Sequence, residues 1–535
     1  MAAAWLIGSS IVLLAIGYIF YGRYLSKRLG VDPGRQTPAH TNTDGVDYVP
    51  AKAPILFGHH FSSIAGAGPI LGPIYAAVFG WIPVLLWIVI GSIFVGGVHD
   101  FSSLVASVRH GGKTFGEVIE EHIGHAGKKL FLVFTWTVLV LVIAVFAKAV
   151  ASVFVKEPAT VTASFLFILL AIVFGLSIYR LKTKLGLTSI VGVLLLLGCV
   201  ALGILFPIQQ SFNFWIFMLF CYVFVAAVTP VWILLQPRDY LNSFLLFIIL
   251  IAGVIGIFVA NPTISFPVVT QFKTNLGYLF PILFVTVACG AISGFHSLVS
   301  SGTTSKQLNM ESDAKPVGYG SMLVEGVLAV VALITAVTIL QGDYSHLVTK
   351  EGGGPIGIFS AGIGRFVHHL GIPERLGVTF AALAISAFAL TTLDTATRLG
   401  RFAFQEFFER EERASFLSKN RYVGTLVTVV FSALLAFSGT SEVLWPLFGS
   451  ANQLLASIIL LGVTVWLAEL GKSNRFVKYP MYFMFAVTLT ALGTLIHKNI
   501  VTVNIPLLLL SIILFIVAII LIVQARNSLV RIGKE

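Results

Sequence analysis

The sequence predicts an all-α polytopic membrane protein of about 15 transmembrane helices, and three observations carry that prediction. Hydrophobic residues make up 57% of the 535 and charged residues only 11%, against roughly 25% charged in a soluble domain. The apolar residues gather into runs long enough to cross about 30 Å of hydrocarbon. If the loop after the first run is cytoplasmic, 27 of the 34 Lys and Arg residues fall in the loops on that side.

The runs follow one another closely. The first, 5–22, has no basic residue before it and a basic stretch after it, which fits a retained helix better than a cleaved leader. The second, 55–80, contains FGHHFSSIAGAGPILGP from Phe57 to Pro73, with two histidines, two serines, four glycines and two prolines. Gly66, Gly68 and Pro69 weaken helix, and a bilayer tolerates unwound backbone only where protein or a cavity surrounds it. The third, 81–108, carries GGVHDF, and the fourth, 129–155, carries Lys148. Runs 160–178, 187–206 and 240–260 are uninterrupted, whereas 213–234 holds Pro230 and is followed at once by Pro237. The ninth, 279–301, contains ACGAISGFHSLVSS; 318–341 contains Glu325 and 377–397 contains Asp394. Runs 422–438, 443–467, 479–497 and 503–525 complete the chain.

Runs two and seven, both interrupted, stand five apart and so cross the membrane in opposite directions. Interrupted segments in corresponding positions of two halves are the sequence sign of an inverted-repeat transporter with a site near the bilayer midplane. The expected organisation is an N-terminal helix and cytoplasmic loop (1–54), a first five-helix repeat (55–206, runs two to six), a second (207–438, runs seven to eleven, with run twelve at its end) and C-terminal peripheral helices (439–535), four peripheral helices in all when run twelve is counted with them. The alternative, that Pro230 only kinks a helix, stays open.

An odd number of helices puts the termini on opposite faces, and the basic loops place the N-terminus outside and the C-terminus in the cytoplasm. The net charge of +11 is then accounted for by anionic membrane lipid rather than by nucleic acid. Loops are too short for a separate domain. Within the loop after Asp394, QEFFEREERASF interleaves acids, bases and phenylalanines as a surface helix would. Cys199, Cys221 and Cys289 all lie in apolar runs, which offers neither a disulfide framework nor metal spacing. No P-loop, nucleophile elbow or Rossmann fingerprint is present, so no cofactor is expected and the chain is not read as an enzyme.

The candidate site centres on the second run. Pro69 suits the first turn of an outer half-helix, and the amides of Gly66, Ala67, Gly68 and Ile70 would offer a substrate carboxylate the positive end of a helix dipole. The inner half, ending near Ser63, would offer carbonyls to a cation. Close packing through small residues is the competing reading of the same glycines. In the ninth run Ser293, Ser297, Ser300 and Thr304 share one helical face with His296 beside them, suited to substrate polar groups or, with Ser301, to sodium. Intramembrane ionisable groups are costly and point to function. They are His59, His60, His99, Asp100, Lys148, His296, Glu325 and Asp394. Asp100, Glu325 or Asp394 would carry a coupling proton, Lys148 a counter-charge, and His59 and His60 a gating or proton-handling role. For Asp394 a structural pair with Arg398, one turn on, is the alternative. The coupling ion is H+ or Na+.

FGHHFSSIAGAGPILGP, PVWILLQPRDYLN, ACGAISGFHSLVSSGTTSKQL, GYGSMLVEG, LTTLDTATRLGRF and LWPLFGSANQ, in this order, resemble the carbon starvation protein A (CstA) family of the amino acid, polyamine and organocation superfamily. The resemblance implies an inner-membrane secondary transporter with a LeuT-like inverted repeat. It also implies peptide uptake under carbon starvation or pyruvate uptake, by proton symport. The loop between Gly342 and Leu376 is shorter than in longer family members. The expectation is an importer of a small carboxylate-bearing nutrient. A nutrient sensor is the competing one, and it would require a cytoplasmic output domain.

Overall fold

The computed structural model describes residues 2–532 apart from 46, 182, 231–232, 350–351, 410–415 and 438–440. In chain order its main helices are α1 (Ala3–Leu29), the bent pair α2 (Ala53–Ile64) and α3 (Gly68–Phe79), α4 (Trp81–Arg109), a short α5 (Phe115–Ile123), α6 (His125–Lys156), α7 (Ala159–Ile178), α8 (Leu185–Leu205), α9 (Phe212–Val228), α10 (Leu235–Ala260), α11 (Leu279–Val287), α12 (Gly294–Gly302), α13 (Glu311–Val337), α14 (Gly354–His368), α15 (Glu374–Phe407), α16 (Arg421–Phe437), α17 (Leu444–Glu469), α18 (Arg475–Val501) and α19 (Ile505–Ser528). Among the described residues 12 helical spans are long and apolar enough to cross a membrane, with α11 and α12 together forming one of them. The pair α2–α3, bent by 45°, passes the same test jointly, and α9 and α16 are shorter apolar helices. The predicted fold class, an all-α bundle of membrane-length apolar helices, is thus met.

Hydrogen bonds sort the connecting loops into two faces. On the face rich in Lys and Arg, Arg109 donates to the Gly30 carbonyl at 2.7 Å, Thr114 to Glu406 at 2.9 Å and Lys472 to the Leu29 carbonyl at 3.4 Å. There the fully buried Glu311 gathers Arg35 and Arg109 and accepts from the Asp32 amide at 2.8 Å, pinning the loop after α1 to the start of α13. On the opposite face the Ala3 amide donates to Pro262 at 2.9 Å, Ser265 to Val337 at 2.8 Å and Lys156 to Gly353 at 2.6 Å.

The second interruption is not where the prolines placed it. Pro230 stands in the linker between α9 and α10, and Pro237 falls in the first turn of α10, where a missing N–H forfeits no helical bond. Neither breaks a helix. The second broken span is the ninth, in which α11 ends at Val287 and a tight turn spans Ala288–Gly290. The chain re-enters helix at Gly294. Ala288 has φ +44°, a left-handed conformation that L-residues rarely adopt and that over-determined packing must hold. The two broken spans are therefore seven apart. Between them lies the hairpin α7–α8, packed on itself and against α10, with Leu169 60% and Leu187 67% exposed along an apolar outer face. Inside the bundle, α6 and α15 make the most extensive helix pair among the described residues. Of the predicted amphipathic stretch, α15 extends to Phe407, and 410–415 lie outside the described residues.

Candidate functional site: two broken spans and two buried polar clusters

The first break falls where Gly and Pro predicted it. Ala65 leaves helical geometry at φ −78°, ψ 54°, and α3 begins at Gly68 with Pro69 in its first turn. The expected cavity is closed in this structure, and two of the expected amides are already committed. Gly66 donates to the Ile64 carbonyl at 2.9 Å and Ile70 to that of Ala67 at 3.2 Å. Ala67 and Gly68 are buried. A Cβ at Gly66 would press on Thr392 and come within 2.8 Å of the Phe146 ring. One at Gly68 would stand 2.6 Å from Cys289 Sγ, and one at Gly72 would run into the Val287 carbonyl. Gly68 and Gly72 let the two broken spans touch, Gly72 against bare backbone, and Gly66 admits α15 and α6, so the packing reading describes this closed arrangement. Thr392 donates to the Ser63 carbonyl at 3.2 Å, while Ser63 Oγ is buried without a hydrogen-bond partner. Gly68→Ala is expected to destabilise the protein by about 1–3 kcal/mol through overpacking. Thermal unfolding in detergent reads the loss, and Cys289→Gly in the same chain should return part of it.

At the second break, Ser293 sits in extended geometry before α12. Asn452 of α17 accepts from the Phe295 amide at 2.9 Å and donates to Ser293 Oγ at 2.8 Å, capping α12 from a distant helix. That role went unforeseen, although Asn452 lies in LWPLFGSANQ. Of the four stripe hydroxyls, Ser297 turns back on its own helix, donating to the Gly294 carbonyl at 2.7 Å, as the neighbouring Ser301 does to that of Ser297 at 2.8 Å. Ser300 Oγ is buried without a hydrogen-bond partner among the described residues. His60 Nδ1 meets Thr304 Oγ1 at 2.8 Å, tying α2 to the turn after α12.

Three helices bring carboxylates and imidazoles together at this break. Gly96 of α4 lies so near the Ala291 carbonyl that any side chain would hold the two apart, and this approach sets Asp100 against α12. Asp100 meets His99 Nδ1 at 2.7 Å and His296 Nδ1 at 2.8 Å. His296 Nε2 then points to Glu325 Oε2 of α13 at 3.4 Å, near but without hydrogen-bond geometry. All four side chains are fully buried, and neither oxygen of Glu325 has a hydrogen-bond partner. An ionised Asp100 only accepts, so both imidazoles carry hydrogen on Nδ1 and His296 Nε2 faces Glu325 with its lone pair. With a proton on either of these two groups, a small side-chain rotation would make the missing hydrogen bond.

The second cluster surrounds Arg238, which sequence reasoning placed in a loop. It opens α10 and is 2% exposed. Its guanidinium donates to Asp394 and Tyr222 through Nη1, and through Nη2 to Asp239 at 3.2 Å and Thr391 at 3.3 Å. Tyr222 also donates to Asp394 at 2.8 Å, and Asn242 to Thr391 at 3.1 Å. Asp394 is thus held by Arg238, not by Arg398, whose guanidinium reaches the carbonyls of Ala226 and Thr229 at the end of α9. His59 Nδ1 lies 3.2 Å from Asp239 Oδ2, and Ser62 donates to the Asp239 carbonyl at 3.0 Å, so the half-helix α2 is fastened to α10. Lys148 stands half-buried in the last third of α6. Beside Tyr222 an apolar pocket of about 300 Å³ is walled by Phe154, Phe165, Ile168, Trp215, Met218 and Val225, a lining suited to hydrocarbon rather than to a carboxylate.

This architecture is shared with a solved manganese transporter from Eremococcus coleocola, at TM-score 0.54 and 13% identity over 92% of this chain and 99% of that one. At that identity the likeness speaks for the fold alone, a LeuT-like transporter fold. In sequence, the chain is 34% identical to the peptide transporter CstA of Bacillus subtilis (strain 168), across 94% of this chain and 91% of the relative. It is 35% identical to the peptide transporter CstA of Helicobacter pylori (strain ATCC 700392 / 26695), across 88% and 78%. It is 30% identical to the pyruvate/proton symporter BtsT of Escherichia coli (strain K12), across 92% and 81%. The family model for carbon starvation protein CstA matches residues 2–352 and 345–491. With broken spans, buried polar clusters and relatives all in agreement, the chain is a multi-pass membrane transporter, not an enzyme, and belongs to the CstA family.

Proposed function

We propose that the chain imports a small carboxylate-bearing nutrient, pyruvate or a short peptide, in symport with protons across the inner membrane, its basic face toward the cytoplasm. The observation that carries the coupling is Glu325, a fully buried carboxylate with no hydrogen-bond donor and an imidazole at 3.4 Å. A native structure keeps such a group for a reason, and a transferable proton is the one its neighbours fit. Titratable side chains form the cluster from end to end, which favours H+ over Na+. The names of the relatives, peptide transporter and pyruvate/proton symporter, support the substrate class.

Setting the α7–α8 hairpin aside as an insertion leaves the broken spans five helices apart. The two repeats would then be α2–α6 with α9 and α10, and α11–α13 with α15–α17, leaving α1, α18 and α19 peripheral. The substrate carboxylate would lie at the amides of Ala67 and Gly68 once Cys289 and Thr392 draw back. Release of α2 from Asp239 and Thr304 would open the cytoplasmic path. Proteoliposomes bearing the protein should accumulate labelled pyruvate or a labelled dipeptide under an inward proton gradient and lose it on addition of an uncoupler. No uptake of either would overturn the substrate class, and accumulation that follows sodium rather than pH would overturn the coupling.

A further inference from the structure

On the basic face, outside both clusters, three segments bring imidazoles together. His110 follows the last turn of α4, α5 carries Glu121 and His122, and Glu469 ends α17. His110 Nδ1 meets the Ala106 carbonyl at 2.6 Å, and His122 Nδ1 meets the carboxylate of Glu469. A carbonyl and a carboxylate can only accept, so both Nδ1 atoms bear the hydrogen and both Nε2 atoms present lone pairs. Yet the two Nε2 atoms face each other at 2.9 Å. Two lone pairs at that separation repel unless a positive charge lies between them, a proton or a metal ion. Glu121 Oε2 lies 3.9 Å from His110 Nε2, and the three possible ligand atoms all fall within 4.8 Å of one another.

Histidines that hold metals are anchored in this way, one ring N–H on a carbonyl or carboxylate and the other nitrogen bare. Around a tetrahedral ion with bonds of about 2.0–2.1 Å, ligand atoms stand roughly 3.3 Å apart. The imidazoles would open by a few tenths of an ångström and the carboxylate close by somewhat more. Both rings are 8% exposed and fixed, whereas Glu121 is 66% exposed and able to swing. Imidazole with one carboxylate is a donor set for zinc or nickel rather than for calcium or magnesium. We propose that His110, His122 and Glu121 bind a divalent ion of the zinc and nickel class, with a fourth position open to water. The ion would brace α5 between α4 and α17.

The test uses the full-length chain in detergent, freed of any polyhistidine tag and titrated with Zn2+ or Ni2+ alone against a chromophoric chelator. One ion per chain should bind. His110→Gln and His122→Gln should each weaken binding at least tenfold, and Glu469→Gln about 10–100-fold, as loss of a supporting partner does. His125→Gln, on the neighbouring surface, should leave it unchanged. Glu121→Gln, at an exposed position, serves where the histidine variants fail to fold and should also weaken binding. X-ray absorption of the zinc form should show two imidazole ligands. Absence of binding in the unaltered chain, or binding that survives both His110→Gln and Glu121→Gln, overturns the site.

Discussion

Arg238→Met is expected to cost the folded protein about 3–5 kcal/mol, the usual penalty for removing one partner of a buried ion pair. The guanidinium is 2% exposed and meets Asp394 and Asp239, so its loss leaves two carboxylates in the bundle interior without their cation. Both carboxylates are fully buried, and Tyr222 alone cannot compensate Asp394. Thermal unfolding in detergent should fall steeply. In Arg238→Met with Asp394→Leu the loss should shrink but not vanish, because one stranded carboxylate is gone while Asp239 keeps only His59, at 3.2 Å, beside it. A double-mutant cycle measures the coupling directly. If the single change leaves stability where it was, Arg238 does not hold α9, α10 and α15 together.

Glu325→Gln is expected to abolish proton-driven accumulation while substrate exchange between loaded vesicles and medium continues. Glutamine keeps the size of the side chain and removes the titratable group, so binding and the conformational cycle remain while the proton has no carrier. Accumulation under an imposed pH gradient should drop to the level seen with an uncoupler. His296→Gln should act in the same direction by cutting the link from Asp100. Gradient-driven accumulation that survives Glu325→Gln would move the coupling to another group.

Elements built from local signals were legible in the sequence. The first break was read from Gly66, Gly68 and Pro69 because those residues disrupt helix wherever they stand, and Ala65 to Ala67 is where the helix parts. The second break was misplaced for the same kind of reason. Proline was weighted as a breaker at Pro230 and Pro237, though a linker and a first turn both accept it, while the actual break at Ala288 depends on packing that no local pattern encodes. Asp100, His296 and Glu325 were each singled out as costly in a bilayer, and the structure joins them into one chain. Arg238 and Asp239 were passed over because they fall in the short polar gap between runs 213–234 and 240–260. Arg238 meets Asp394 across 156 residues of sequence, and only the fold reveals that it is buried.

The contact between the two broken spans is made by Gly72 against a main-chain carbonyl and by Gly68 against the small side chain of Cys289. Most helices in a bundle mesh like gears, and one cannot turn on the other without withdrawing side chains from their sockets. At Gly72 there is no tooth. Two rods that touch at bare backbone can change angle about that point without losing shape complementarity, so the crossing has the mechanics of a pivot, and among the contacts a swing of α2 must release are the polar ones of His59, Ser62 and His60.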